Sequence, residues 1–252
     1  QPLAISFHGT EDGKPAGFRP IAEHVRPLDP RPGPAIEDPK GALQNAASVL
    51  RKDLFSWMGE LPDSVRQTPD WLTAWIEQGD VLPSLHIRAS ARRRLSRLMF
   101  LTEAEQALLA LIHSAPRDPV HSVVLTADRY FDDVLQQIQI VKAFVDGFGR
   151  PLQIKQLVEP GPAFVVENGE LVIEDGKPKV APANPRWRVS ERVEYNNKGL
   201  PVRVFRPYFA NVHCYINDQS LREFGHHDQK FYDVLGRLNK VINAKKDVAL
   251  EI

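Results

Sequence analysis

The sequence predicts a mainly β (α+β) protein carrying one α-helical insertion, and three observations carry that expectation. Apolar residues recur with a period of two from about Pro119 onward, but with a period of three to four between about 40 and 116. The stretch VSERVEYNNKGLPVRVFRPYF, Val189 to Phe209, reads as two strands about a tight turn, with Asn196, Asn197 and Gly199 supplying residues that tolerate positive φ. A short turn signature, Asp-x-x-Gly-Arg followed by alternating residues, occurs at Asp146–Arg150 and at Asp233–Arg237, and Asn196–Leu200 is a variant of it. In each, Asp or Asn caps its own backbone, Gly takes the left-handed position, and a strand follows at once.

In chain order, Leu3 to Phe7 alternate as a short strand, and the proline-rich stretch Gly13 to Asp38 reads as an extended surface connector. Leu43, Ala46, Ala47, Leu50, Leu54 and Trp57 fall at helical spacing and predict a helix ending near Gly59. A second helix is expected with Asp70 as its cap and Trp71, Leu72, Trp75 and Ile76 on its face, closed by Gly79. Leu85 to Phe100 forms a third. Thr102-Glu103-Ala104-Glu105 is a capping box that opens a fourth, ended by Pro116. Strands follow over Val120–Thr126, Gln137–Val145 and Leu152–Val158. A small hairpin turns at Asn168-Gly169, a loop spans Gly176–Pro185, and short strands lie at Asn211–Ile216 and Lys230–Tyr232. The resulting division is 1–39 strand plus connector, 40–116 helical insertion, and 117–252 β-hairpin region.

The chain has 252 residues, with 32 basic against 32 acidic side chains, so no general nucleic-acid or membrane-surface role is expected. No apolar run reaches the length of a transmembrane helix, and the first residues lack the regions of a signal peptide, starting as though mid-strand in a longer chain. The single cysteine, Cys214, excludes an intramolecular disulfide framework.

Four constellations were weighed for chemistry. His213, Cys214, His226, His227 and Asp228 are metal-ligand types, but adjacent residues of a strand point to opposite faces, which favours a polar loop carrying histidines. Arg88, Arg92, Arg93, Arg94 and Arg97 make a basic helical face that solvent or acidic neighbours explain best. Asp128, Asp132 and Asp133 fit a turn with capping aspartates better than acid–base or calcium chemistry. Trp57, Trp71 and Trp75 read as core, while Trp187, Tyr195, Phe205, Tyr208, Phe209 and Tyr215 are either a sugar platform or cross-strand packing. No catalytic residue, cofactor site or metal site is therefore assigned, and the chain is expected not to be an enzyme.

The turn copies carry a resemblance. Tyr232-Asp233-Val234-Leu235-Gly236-Arg237 looks like the YD (Rhs) repeat. Together with Asp146–Arg150, Arg192–Gly199, Arg206-Pro207-Tyr208-Phe209, Thr126–Tyr130 and Val241–Lys245, it resembles the B component of bacterial Tc (toxin complex) insecticidal toxins. The match runs from about Pro119 to Lys245, more loosely through Phe7–Glu11; the sequence departs from it after Ala244-Lys245, where a Gly is expected. The resemblance implies a secreted protein and a hollow shell built by the B and C components from a spiralling strip of YD-repeat strands. That shell encloses the toxic C-terminal part of C and docks on the pore-forming A component. The chain would be a wall segment in the later part of B. Its partners would be the remainder of B, the C component and, indirectly, A, with no nucleic acid and no membrane contact by this segment. The alternative is an independent carbohydrate- or receptor-binding β-module. The strands near Leu3–Phe7 and Lys230–Val241 are the expected open edges.

Overall fold

The computed structural model describes residues 3–27 and 29–251, so Gln1, Pro2, Leu28 and Ile252 lie outside the described residues. The protein is mainly β. Nine strands form one sheet, in the spatial order Leu3–Ile5, Ser48–Asp53, His121–Ala127, Ile138–Val145, Pro151–Val158, Arg186–Ser190, Tyr208–Ala210, Gly161–Phe164 and Val180–Ala183. Five more, Val193–Tyr195, Pro201–Phe205, His227–Tyr232, Leu238–Ile242 and Val248–Glu251, form a second sheet in sequence order.

The stretch Val189 to Phe209 joins the two sheets. Its arms pair Trp187 with Ala210 and Val189 with Tyr208 in the large sheet, and Val193 with Val204 in the small one. The numbers of each of these pairs share one sum, so the ladder keeps one register across the bend between sheets and shifts only at the bulge beside the turn, between Glu194 and Tyr195. The bend has two local causes: Glu191 sits at φ 52°, and Pro207 has no N–H to extend its strand. One backbone bond, Phe205 N to Arg192 O at 3.0 Å, spans the kink.

The large sheet buries one face. Val49, Val123, Leu125, Ile140 and Trp187 on that face pack under the helical segments Pro32–Glu37 and Pro39–Leu43, through Ala35 and Leu43. A second core, Trp75 with Leu61, Leu85, Leu95, Leu108 and Ile112, lies wholly within the helical body. A third, with Val189, Phe205, Ala210, Ile216 and Leu221, fills the junction of the sheets.

Several expectations change. The helix expected from Leu43 to Trp57 is a short helix, Pro39–Leu43, followed by the strand Ser48–Asp53, so residues 48–53 belong to the large sheet and not to a helical insertion beginning at 40. Gln44 at φ 51° ends the helix, and six cross-strand pairs to His121–Thr126 hold the strand. Trp57 is accordingly half exposed. The connector over 13–38 contains the hairpin strand Lys14–Gly17 and the helix Pro32–Glu37, which buries Pro32. The helix at Pro69–Glu77 has Thr68, not Asp70, in the cap position, with Asp70 in its first turn. The third helix shortens to Ala89–Leu95, while Glu103–Ser114 opens on the full Thr102/Glu105 capping box. The loop expected at Gly176–Pro185 contains strands Lys177–Pro178 and Val180–Ala183, and Asn211–Ile216 is not a strand. The open edges are Leu3–Ile5, Val180–Ala183, Val193–Tyr195 and Val248–Glu251; the strands within Lys230–Val241 are paired on both sides.

Candidate functional site

Four turns, at Asp146, Asn196, Asp233 and Asn243, share one geometry. In each, Oδ1 of the Asp or Asn accepts from the backbone N–H groups two and four residues later, at 2.8–3.0 Å. The residue three later is left-handed: Gly149 at φ 78°, Gly199 at 77°, Gly236 at 85° and Lys246 at 69°. A bulge precedes each turn, so that Val145, Tyr195, Tyr232 and Ile242 pair with Pro151, Pro201, Leu238 and Val248. Where the sequence has Asp-x-x-Gly-Arg, the arginine folds back: Arg150 Nε donates to Asp146 Oδ2 at 2.6 Å, and Arg237 Nε to Asp233 Oδ2 at 2.7 Å. Backbone donors first, then the Arg237 guanidinium, hold the Asp233 carboxyl below the usual carboxylate range.

The sequence reading matched Val241–Lys245 to the family and expected a Gly next, but did not count a fourth turn, because Lys246 stands where the other three have Gly. A left-handed L-residue costs about 1–2 kcal/mol, and Gly loses about 0.5–1 kcal/mol more on folding than a residue with a side chain. Lys246→Gly is therefore expected to raise stability by about 0.5–1 kcal/mol in urea unfolding; an unchanged or lower midpoint would contradict the assignment.

Successive turns also touch. Tyr195 Oη donates to Pro151 O at 3.0 Å, and Tyr232 Oη to Pro201 O at 2.9 Å. In both cases the residue before one turn reaches the first strand residue after the preceding turn. The Arg150 guanidinium lies 4.4 Å from the Tyr195 ring centre. A Cβ on Gly199 would stand 2.4 Å from Arg150 Nη1, and one on Gly236 would stand 3.4 Å from Leu200 Cδ1. At Gly199 glycine thus serves both the backbone angle and the close approach of the Arg150 guanidinium, whereas at Gly236 the contact is an ordinary one and the backbone angle alone favours glycine. Tyr232→Phe removes one interturn bond and is expected to cost about 1 kcal/mol, with faster amide exchange at Val202–Phe205 as its local signature.

The second sheet, which carries the turns at Asn196, Asp233 and Asn243, has almost no buried residues. Of its strand residues only Phe205 is buried, and Val248, Ala249, Leu250 and Glu251 on the outer edge are all exposed. Register places Val193, Val204, Val241 and Leu250 on one face. An open edge of unpaired backbone groups and a half-exposed apolar face are what a sheet shows when it is built to be continued or covered.

The weighed constellations fall elsewhere. His213 and Cys214 lie in the coil over the large sheet, with the His213 ring 5.5 Å from that of Trp187. His226, His227 and Asp228 sit at the second sheet, where Asp228 binds Arg206 and the N–H of Ala244. The structure does not bring the five together. Asp128 and Asp133 accept turn N–H groups from Gln137 and Leu135, as capping aspartates should. Arg94 leaves the basic face to bind Asp80 and Glu105. Trp187 and Phe205 are buried and Tyr208 packs on Phe164, so these aromatics are cross-strand packing.

The sequence reading missed a row of buried polar groups on the inner face of the large sheet: Arg51, Asp53, His121, Lys142, Gln153 and Lys155. Lys155 Nζ donates to Val212 O at 2.9 Å, and burial drives its pKa down to about 7. Burial likewise lowers His213, to about 4, with Lys142 and Lys155 adding to the effect. The signal was present at Lys142, which is in phase with Ile140 and Phe144 on one strand.

No known family profile matches the sequence, and no curated protein does. Solved structures do match. A TcdB2–TccC3 crystal structure without its hypervariable C-terminal region is 32% identical, with a TM-score of 0.79, over 98% of this chain. The TcdB2–TccC3–Cdc42 crystal structure is 33% identical, with a TM-score of 0.77, also over 98%. A Photorhabdus luminescens Tc holotoxin pore with a mutated TccC3 is 32% identical, with a TM-score of 0.74, over 96%. In each case this chain spans 11% of the length of the chain it matches. The fold, and 32–33% identity along 98% of the chain, agree with the resemblance carried by the turns, and the chain belongs to the family of Tc-toxin B and C components.

Proposed function

We propose that this chain is a wall segment of the hollow B–C shell of a Tc-type insecticidal toxin, a secreted assembly that encloses and delivers the toxic C-terminal part of the C component. The observation that carries this reading is the five-stranded strip. It repeats one turn three times and stacks on a fourth copy at Asp146 of the large sheet, with Tyr195 and Tyr232 each bonding to the preceding turn, and it leaves its outer edge and one apolar face open. A strip of that kind gains stability from neighbours of its own type, as repeat arrays do. The partners are then the remainder of B and the C component, joined through backbone ladders, with the A component reached indirectly. The role is architectural and non-catalytic. The reading as an independent carbohydrate-binding module is not favoured, because Trp187 and Phe205 are buried.

The test is made in the assembled complex. Leu250→Pro removes one ladder donor and fixes φ on the outer strand. It is expected to loosen the shell, so that added protease cleaves the enclosed C-terminal part faster. A chain that purifies as a stable monomer with its edges covered, or a Leu250→Pro complex that protects its cargo as well as wild type, would overturn the wall reading.

A further inference from the structure

Asp53 closes the large-sheet strand Ser48–Asp53, whereas Glu60 and His86 face each other across an isolated antiparallel bridge in the helical body. The fold thus brings three ligand types together at the seam of its two main bodies. One donor atom from each lies within 4.8 Å of the others. Asp53 and His86 are almost wholly buried, and the Glu60 side chain, one-third exposed, gives the cluster a path to solvent.

Each of the three is held by a group behind it, in the way metal ligands are oriented. Asp53 Oδ1 accepts from Phe55 N at 2.8 Å, which leaves Oδ2 facing His86 Nε2 at 3.0 Å. His86 Nδ1 is 2.9 Å from Ser84 Oγ. With the proton on Nδ1 donated to that hydroxyl, Nε2 presents its lone pair toward the carboxylates. Glu60 Oε1 accepts from Arg31 Nη1. Arg31 is itself shared with Asp29 and Asp63, and Arg66 pairs with the same two. In this linked set Asp29, Asp53, Glu60 and Asp63 carry four negative charges against the two of Arg31 and Arg66. A neutral His86 leaves two negative charges, the amount one divalent cation balances.

We propose that Asp53, Glu60 and His86 bind a divalent transition-metal cation that ties the helical body to the large sheet. One imidazole and two carboxylates suit Zn2+, with the fourth position open to water on the Glu60 side. Donors around a tetrahedral Zn2+ stand about 3.4 Å apart at ordinary bond lengths, so Asp53 Oδ2 and His86 Nε2 need to separate by only a few tenths of an ångström. The site acts as a clamp across the seam, because its ligands come from both sides of it.

The probes are Zn2+ and Co2+ added to the chelator-treated full chain. Calorimetry is expected to show one Zn2+ per chain at micromolar affinity or tighter, a raised melting temperature, and visible d–d bands of a four-coordinate Co2+ ion. Glu60→Gln can still accept from Arg31, so it is the variant most able to keep the fold; it is expected to weaken Zn2+ by about tenfold or more. His226→Gln, at the other sheet, is expected to change nothing. The proposal fails if wild type binds neither ion. It fails equally if Glu60→Gln binds as tightly as wild type, or if His226→Gln removes the site. A His86 imidazolium detected by NMR at neutral pH, unperturbed by Zn2+, would make the cluster a plain ion pair and overturn the proposal without mutagenesis.

Discussion

Trp187→Ala is expected to destabilise the chain by about 3–5 kcal/mol, the range for truncating a fully buried aromatic side chain. Trp187 is 1% exposed and lies on a central strand, opposite Leu157 on one side and Ala210 on the other. Its ring fills the space between Val49, Val123, Leu125 and Ile140 and the His213 loop. The indole N–H has no hydrogen-bond partner among the described residues, so Trp187→Phe removes volume without orphaning an acceptor and is expected to cost far less, about 1–2 kcal/mol. Urea unfolding of the two variants tests this. Equal losses would mean that the indole nitrogen, not the volume, matters at this site.

The position of Trp187 shows what the sequence could and could not convey. The turns were legible because Asp, Gly and Arg at fixed offsets each answer one local requirement: a side-chain acceptor, a left-handed angle and a carboxylate partner. The capping box at Thr102 was legible for the same reason, since both of its bonds lie within four residues. The fourth turn was hidden because Lys246 meets the angle requirement at an energetic cost instead of avoiding it.

The strand Ser48–Asp53 was illegible because its decisive partners are far away in sequence. Leu43, Ala46, Ala47, Leu50 and Leu54 fit a helical face, yet pairing with His121–Thr126 selects the alternation Val49, Arg51, Asp53 as the inward set. Local spacing lost to a ladder with about seventy residues between its strands. The same tertiary choice moved Asp53 beside His86, which is why the seam cluster had no signature along the chain. The hairpin turn at Asn196 was legible, but the bend at Glu191 and Pro207 divides the hairpin between two sheets, a distinction that period-two alternation does not carry.

Stability is expected to rise with pH between 7 and 8.5, by roughly 1–2 kcal/mol, through Lys155. Its ammonium is desolvated in the inner face of the large sheet, and its pKa falls from the ordinary 10.5 to about 7. Lys142 and Arg192 push in the same direction, while Asp118 and Cys214 oppose them. The folded chain therefore holds fewer protons than the unfolded chain between these two values, and folding is favoured as protons are withdrawn. The stability tied to the neutral amine is complete above pH 10.5, falls away as pH drops toward 7, and is absent below that. Over the full window it amounts to at most about 4–5 kcal/mol. The Cys214 thiol, raised by burial above its ordinary 9.0, acts oppositely from about pH 9 upward, which is why the measurement stops at 8.5. The acid side has the same sign: His213, lowered from 6.5 to about 4, loses its contribution as pH falls through that range. Lys155→Met keeps the length of the side chain and removes the titrating group, at the cost of the bond to Val212 O. Its urea midpoint is expected to vary little between pH 7 and 8.5, where the wild-type midpoint climbs. A flat wild-type profile, or a slope that survives in Lys155→Met, would show that the buried amine is not the titrating group.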